Sequence, residues 1–319
     1  MMPMPSNAVT AFAPATVANV GPGFDAFGFA LDGAGDRVTA RRSKRPGVRL
    51  VGITGDGGAL PKSAGRNVVT AVASKMVRGL GLHFGIDLSL EKGLPLGSGL
   101  GSSSASAVAS AVAVNALIGR LYSDDELLEF ARHGERVACG AAHADNVVPC
   151  LLGGFCIVRA CDPLEVIRLD VPSAWRVAVV HPHIELPTKK ARAVLPRTVP
   201  LAAMTANVSN AASVVAAIYK KDLGLLGRAI MAETVVVPVR RMLIPGFMEV
   251  GRAAVHAGAA GFSISGAGPS LFALTAGDRR AKVVATKMVA AWKRLGISAD
   301  VIVSRVGSAG ARIVGNGRS

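Results

Sequence analysis

Aromatic residues are scarce, with Phe, Tyr and Trp together making up 4% of the 319 residues. That argues against a surface that binds nucleic acid by stacking bases on rings. Acidic residues are also outnumbered, 21 against 36 Lys and Arg, for a net charge of +15 and a pI near 10.4. The basic residues are scattered except around Arg37 to Arg45 and at Lys189/Lys190, so the expectation is a solvated basic surface and no nucleic-acid partner. The four cysteines, Cys139, Cys150, Cys156 and Cys161, include no CxxC pair and have no paired histidines in a zinc register, which leaves reduced packing residues. No Gly-Lys pair occurs anywhere, which excludes a Walker A loop. No apolar run reaches membrane-spanning length; the longest candidate, Ala105 to Ile118, is too short and suits a buried core helix. The opening MMPMPSNAVTAF has no basic region followed by a long apolar segment, so no targeting peptide is expected and the expected location is the cytoplasm.

Half of the residues are apolar, enough for a large core in one big domain or two ordinary ones. Ala8 to Ala13 reads as a strand, followed by a loop, PATVANVGPGFDAFG, dense in turn-forming residues. Asp36 to Arg42 and Gly47 to Ile53 are β-branched enough for strands, and Arg66 to Leu80 predicts a helix ending at Gly81. Ile86 to Glu91 alternates apolar and polar residues, the period of a strand with one buried face. It leads into PLGSGLGSSSASAVASAVAV, residues Pro95 to Val114. A Rossmann turn would follow a strand buried on both faces and precede an acidic residue about 20 positions on; here the strand is half polar and the spacing is Gly97-x-Gly99-x-Gly101 followed by serines, and both features count against a dinucleotide site. An anion cradle remains physically sound: Gly97, Gly99 and Gly101 permit left-handed backbone and close ligand approach. The helix after them offers unpaired N–H groups and a positive dipole end, for which phosphate is the natural guest. The serines Ser102, Ser103 and Ser104 can cap that helix, bond phosphate oxygens or ligate magnesium. An ordinary capped core helix is the alternative reading of this stretch alone.

PLGSGLGSSSASA resembles the second motif of the GHMP small-molecule kinases. Two further stretches agree in order: APATVANVGPGFDAFGFALD (Ala13 to Asp32) resembles their first motif and GFSISGAGPSLFAL (Gly261 to Leu274) their third. The resemblance therefore spans nearly the whole chain. ANVGPGFDAFG, GAAHADNVVPCLLGG (Gly140 to Gly154) and VRRMLIPG (Val239 to Gly246) are similar to the members that phosphorylate homoserine. The implied reaction transfers the γ-phosphoryl of ATP to L-homoserine, giving O-phospho-L-homoserine in threonine biosynthesis. Another small alcohol of the family, such as mevalonate, shikimate or a sugar, is the alternative substrate. A non-catalytic nucleic-acid-binding protein is a third reading, disfavoured by intact Ser103, Glu135 and third motif.

The resemblance implies an α+β, two-domain fold: an ATP-binding N-terminal domain like the second domain of ribosomal protein S5, residues 1–165, and a ferredoxin-like C-terminal domain, residues 166–319. It assigns ATP to Asn67 and to the run Pro95, Leu96, Gly97, Ser98, Gly99, Leu100, Gly101, Ser102, Ser103 and Ser104. Mg2+ falls to Ser103 and Glu135. Ser123 to Glu126 has the form of a capping box, so Glu135 sits near the end of a helix starting at Asp124; a carboxylate beside the negative helix end is unfavourable unless compensated, as a metal would do. An exposed glutamate paired with Arg132 or Arg136 is the other reading of Glu135.

The substrate's ammonium is assigned to Asn19, Asp25, His143 and Asp145, and its carboxylate to the planar forks of Arg192 and Arg240. Thr188 lies four residues before Arg192, one helical turn away, and Ser265 and Gly266 in the third motif complete the set. Asn146 occupies the position where some family members carry a catalytic aspartate, which implies catalysis by orientation and electrostatics, without a general base. Homoserine-specific members commonly carry Glu-Pro ahead of Arg240; here Val237-Pro238 stands there and Arg241 follows, which leaves open which arginine meets the carboxylate. No membrane partner is expected, and a homodimer is implied.

Overall fold

The computed structural model describes residues 7–63, 65–140 and 143–316. The first six residues, Ala141, Ala142 and the Cys139 side chain lie outside the described set. The first half runs β1 (Ala8–Ala18), β2 (Phe27–Ser43), β3 (Val48–Thr54), α1 (Val68–Val77), β4 (Gly85–Glu91), α2 (Ser102–Leu117), α3 (Asp124–Cys139), α4 (Val147–Leu152), β5 (Phe155–Cys161) and β6 (Leu164–Leu169). The second continues with β7 (Trp175–Pro182), α5 (Thr188–Ala193), α6 (Leu201–Lys220), α7 (Leu223–Met231), α8 (Val237–Arg240), a 3-10 turn (Arg241–Leu243), α9 (Phe247–His256), β8 (Gly261–Ile264), β9 (Leu271–Ala276), α10 (Asp278–Arg294), β10 (Ala299–Arg305) and β11 (Arg312–Asn316).

Two sheets form. The first has the order β11-β1-β2-β4-β3, with β5 pairing β2 and β6; only β3 and β4 run parallel. The second has the order β10-β7-β9-β8, all antiparallel. With α10 between β9 and β10 and helices between β7 and β8, this is the ferredoxin-like β-α-β-β-α-β arrangement. The fold is thus the expected α+β pair. Strand alternation lets the second sheet serve two cores: Val177 and Val179 of β7 with Phe272 and Leu274 of β9 face the first core, while Ala178, Val180, Leu271 and Ala273 face the second under α9 and α10.

The α2 helix runs through the middle of the first core, packed on β1, β2, α1 and α3. Its Ala and Ser residues are small enough for those four elements to close around it, and its buried set covers all sides. The expected capping box is present: Ser123 Oγ accepts from Glu126 N while the Glu126 carboxylate accepts from Ser123 N. Cys150 and Cys156 are buried free thiols; Cys161 is a free thiol at the surface, not a packing residue.

Three elements differ from the sequence expectation. β1 extends to Ala18 through Pro14, which sits at a register shift against β2; a bulge tolerates proline where a regular ladder would not. The start of β2 at Phe27, rather than Asp36, brings the glycine-rich GFALDGAG segment into the sheet. The expected division at 165/166 falls inside β6, and β11 pairs with β1. The C-terminal strand thereby covers an edge of the first sheet, so that sheet draws strands from both ends of the chain.

Candidate active site

The two sheets meet along a cleft with a cavity of about 320 Å³. One wall is the loop 95–101 and the start of α2. Gly97, Gly99 and Gly101 have φ of 60°, 76° and 67°, the left-handed region that glycine enters without strain. A Cβ on Gly99 would overlap the carbonyl oxygens of Ser265 and Gly268, so the third-motif turn presses directly on the loop. The loop carbonyls are tied back into the scaffold: Gly97 O accepts from Leu186 N at 3.3 Å, Ser98 O from Ser270 Oγ at 2.6 Å, Gly99 O from Ser265 Oγ at 2.8 Å and Leu100 O from Thr16 N at 3.1 Å. The first intrahelical bond of α2 is Ala105 N to Gly101 O, and no side chain caps the helix. Its first-turn N–H groups are therefore left for an anion, reinforced by the dipole.

The three serines differ. Ser102 Oγ is spent on Lys92 and the Leu94 carbonyl. Ser103 lines the cleft, and Ser104 and Ser98 line it too, their Oγ atoms buried and without a hydrogen-bond partner among the described residues. Buried hydroxyls of that kind are paired in finished structures, so they point to a polar guest. Glu135, on α3, is 5% exposed and lines the same cavity, which removes the reading of it as an exposed surface glutamate. Ser103 and Glu135 together offer the hard oxygen ligands that suit Mg2+.

The opposite end of the cleft is charged. Asn19 and Asp25 both adopt left-handed backbone, φ 55° and 54°, and Asn19 Oδ1 accepts from Asp25 N at 2.8 Å. Arg192 Nη2 donates to both oxygens of Asp25 at 2.8 and 2.9 Å. Arg192 and Arg240 flank the Phe24 ring, their Cζ atoms 5.3 and 5.2 Å from its centroid. Arg240 is buried, donates to Ala191 O and Gly266 O, and lines the cavity. Arg241 is exposed, with Nη1 on Met248 Sδ. Of the two arginines, Arg240 faces the cleft. Burial, with Arg192 adding, lowers the Arg240 guanidinium to about 10.

Asp25, His143 and Asp145 bring ligand atoms within 4.8 Å of one another. With Asp25 already on a guanidinium and a second one close by, this corner suits a monovalent ammonium better than a divalent metal. Burial first, then Asp25 and Glu135, push the Asp145 carboxyl up to about 7. Burial also lowers the His143 imidazole, with Asp25 opposing. Asn146 lines the cleft, and Thr16 Oγ1 donates to its Oδ1 at 2.7 Å, a bond that leaves the amide N–H group to other partners. That group can donate a hydrogen bond and cannot take a proton.

Of the expected site residues, Thr188, Leu96 and Gly266 line the cleft along with those above. Pro95 and Leu100 do not; they line a recess of about 160 Å³ behind the loop, with Leu94, Val179 and His181. Ser265 acts from outside the cavity through Gly99 O. Asn67 lines the cleft, but its side chain is occupied as the α1 cap, accepting from Val69 N and donating to Pro61 O, each at 2.9 Å. Leu60, Pro61, Val68, Val137 and Ala138 form an apolar slot beside it, and Arg66 and Lys92 also reach the cavity. None of these was singled out by sequence. Lys92 carried a weak signal, a lone basic residue at the end of the strand that delivers the loop.

The family model for the GHMP kinase N-terminal domain matches residues 67–154, and that for the C-terminal domain matches residues 214–294. The homoserine kinase of Chlorobaculum tepidum is 44% identical over 319 residues, covering 96% of this chain and 98% of its own length. That of Arabidopsis thaliana is 43% identical, covering 96% of this chain and 84% of its own. The crystal structure of homoserine kinase from Cytophaga hutchinsonii superposes with a TM-score of 0.95 at 45% identity, covering 98% and 99% of the two chains. L. major mevalonate kinase in complex with R-mevalonate shares the fold, with a TM-score of 0.72 at 16% identity over 96% and 97%.

Proposed function

The chain belongs to the GHMP kinase family, and we infer from the company it keeps within that family that it is an enzyme transferring the γ-phosphoryl of ATP to L-homoserine. The product is O-phospho-L-homoserine, on the way to threonine. What carries the substrate reading is the pairing of two unlike ends in one cleft. The uncapped start of α2 offers N–H groups to phosphate, while the far corner offers acidic acceptors and a guanidinium to a zwitterion.

In this reading the loop 95–101 and the first turn of α2 hold the phosphates, and the apolar slot of Leu60, Pro61, Val68, Val137 and Ala138 takes the base. Asn67 supports that slot by fixing α1, in place of a direct base contact. Ser103 and Glu135 hold Mg2+, whose part is to neutralise charge on the phosphates. Asp25, Asp145, His143 and Asn19 receive the ammonium, and Arg240 the carboxylate. Arg192 orients Asp25 and shares the Phe24 ring. Asn146 orients the attacking hydroxyl; since its amide cannot take a proton, the hydroxyl proton passes to an oxygen of the transferred phosphoryl group as the new O–P bond forms and the bond to the ADP oxygen breaks, and catalysis rests on alignment and preorganised positive potential. Thr188, at the start of α5, faces the transferring group.

Mevalonate, shikimate and sugars lack an ammonium and would leave the Asp25–Asp145 corner unmatched. ADP release measured with Mg-ATP against homoserine, mevalonate, shikimate and galactose is expected to select homoserine. A folded, nucleotide-binding sample that leaves homoserine unphosphorylated would overturn the substrate reading. A cytoplasmic location belongs to the same proposal. So does a homodimer: α6 turns Leu201, Met204, Val208 and Tyr219 to solvent and carries no charged residue before Lys220 in a chain of net +15, which makes it the face where a second copy meets least repulsion.

A further inference from the structure

We propose that Asp36 is the positioning residue of the phosphate-binding loop, a single buried carboxylate that clasps the loop's entry and its exit together. This goes beyond the cleft residues above, because Asp36 is 0% exposed and lies outside the cavity.

The geometry is specific. Asp36 belongs to β2, next to β4 in the sheet. Its Oδ1 accepts from Gly93 N at 3.0 Å and Leu94 N at 3.3 Å, where the chain leaves β4 and enters the loop. Its Oδ2 accepts from Ser106 Oγ at 2.7 Å, on the first turns of α2 where the chain leaves the loop. The same oxygen pairs with Lys92 Nζ. Lys92 then donates to Ser102 O at 2.9 Å, Ser102 Oγ at 2.7 Å and Ser106 Oγ at 3.1 Å. Ser102 and Ser106 stand one helical turn apart, so both face the clasp. Apart from the direct bond from Ser102 Oγ to Leu94 O at 3.3 Å, the side-chain bonds that set the spacing between residues 93–94 and residues 102–106 converge on one carboxylate and the ammonium it holds.

Such an arrangement carries information about function because of what it spans. Gly97, Gly99 and Gly101 make the loop between the two ends intrinsically adaptable. A phosphate cradle works only if its N–H groups are fixed before the ligand arrives. Burial disfavours the charged form of Lys92, and Asp36 is the first of the groups opposing that, ahead of Glu135 and Cys150. A neutral amide at 36 would thus weaken the hold on the loop entry, since bonds to a charged acceptor are the stronger ones, and would leave the ammonium under α2 without its counter-charge at once. Gly93 allows the close approach, since a Cβ there would overlap the Gly35 carbonyl one residue from Asp36.

The inference rests on the reading that the loop holds ATP phosphates, and two measurements separate the layers. In the nucleotide-free protein, Asp36→Asn is expected to speed amide hydrogen exchange across residues 93–104 by about tenfold or more while leaving α10 unchanged. In steady-state assays it is expected to lower kcat/KM for ATP by about thirtyfold or more, and to leave KM for homoserine at saturating ATP within about twofold. Ser106→Ala, which removes one strand of the clasp without changing charge, is the milder variant if Asp36→Asn folds poorly; an ATP-selective loss of about threefold or more is expected. Val284→Ala in the second core supplies a destabilised control. If the clasp variants track that control, with unchanged exchange in 93–104 or equal losses for both substrates, Asp36 is merely structural and the proposal falls. Faster exchange in the Asp36→Asn variant, with a wild-type protein that binds no nucleotide, would instead leave the clasp standing and overturn the ATP reading.

Discussion

Asp145 and Ser103 test the site one side chain at a time. The Asp145 carboxyl keeps its proton up to about 7 in the folded protein against 3.8 ordinarily. Between those values the folded state binds a proton that the unfolded state has released, so this group's stabilisation is complete at low pH and is lost as pH rises toward 7. An ammonium placed beside it reverses the preference and favours the carboxylate. KM for homoserine is therefore expected to rise about tenfold per unit as pH falls below 7, and Asp145→Asn to flatten the profile; a wild-type KM independent of pH between 5.5 and 8 would remove Asp145 from the ammonium site. Ser103 has no bond to the scaffold comparable to that of Ser102. Ser103→Ala is expected to lower kcat by about 100-fold, close to 3 kcal/mol, with a melting shift under about 3 °C; equal losses in both would return the serine to a structural role. The polar residues that line the cleft could be singled out in sequence because several motifs pointed to them together. Asn67 lines the cleft and its side chain also caps α1, as an asparagine before an apolar helix does, a second role that the motif alone did not show. Asp36 escaped, and Lys92 gave only a weak signal, because the pairing of two buried charges 56 positions apart leaves no local pattern.

The loop and α2 act as one element, and Gly99 is where the third motif bears on it. Ala at 99 would meet the Ser265 and Gly268 carbonyls and hold φ at 76°, a left-handed backbone that itself costs about 1–2 kcal/mol in a non-glycine residue. Gly99→Ala is expected to raise KM for ATP by about tenfold or more and to lower the melting temperature by several degrees; Gly79→Ala, also left-handed but with open space around it, is expected to leave KM within about twofold. A Gly99 variant matching the Gly79 variant in ATP kinetics would mean that the two halves do not register through this contact. At this scale the strand before the loop, the buried helix after it and the β8–β9 turn were all readable, because each has a period or a glycine turn of its own. The full extent of the first two strands was not. β1 carries proline and β2 carries three glycines before Asp36, and tertiary pairing with each other and with β5 overrides those local signals.

Across the whole molecule, sequence separates the halves more cleanly than the fold does. The second sheet is covered on both faces, with α9 and α10 on one side and the first core on the other, while β11 returns to β1. No stretch of sequence announces that return, since strand pairing across the full chain length is a property of packing. The same packing leaves α6 half out. Val214, Ala217 and Ile218 face inward, Asn207 bonds Glu233 and Asn210 bonds Ala232 O. The outer face is apolar, and by length and composition α6 is the one helix among the described residues that could cross a membrane. Its inward bonds argue against that use, because a spanning helix would have to abandon them. Stable interfaces bury about 800 Å² per partner; a 20-residue helix is about 30 Å long, and the exposed Val194 and Val199 extend the patch at its N-terminal end. Sedimentation at micromolar concentration is expected to give twice the 32.5 kDa chain mass. Val208 is 62% exposed, so Val208→Glu is expected to yield monomers with a melting temperature within about 3 °C of a wild-type monomer extrapolated to low concentration. Because Asn207 reaches Glu233, whose carboxylate accepts the N–H groups that open α8 ahead of Arg240, the monomers should also show a raised KM for homoserine with ATP kinetics unchanged. Wild-type monomers at those concentrations would leave α6 without a second copy, and binding of the wild type to vesicles of neutral phospholipid would assign the face to a membrane instead.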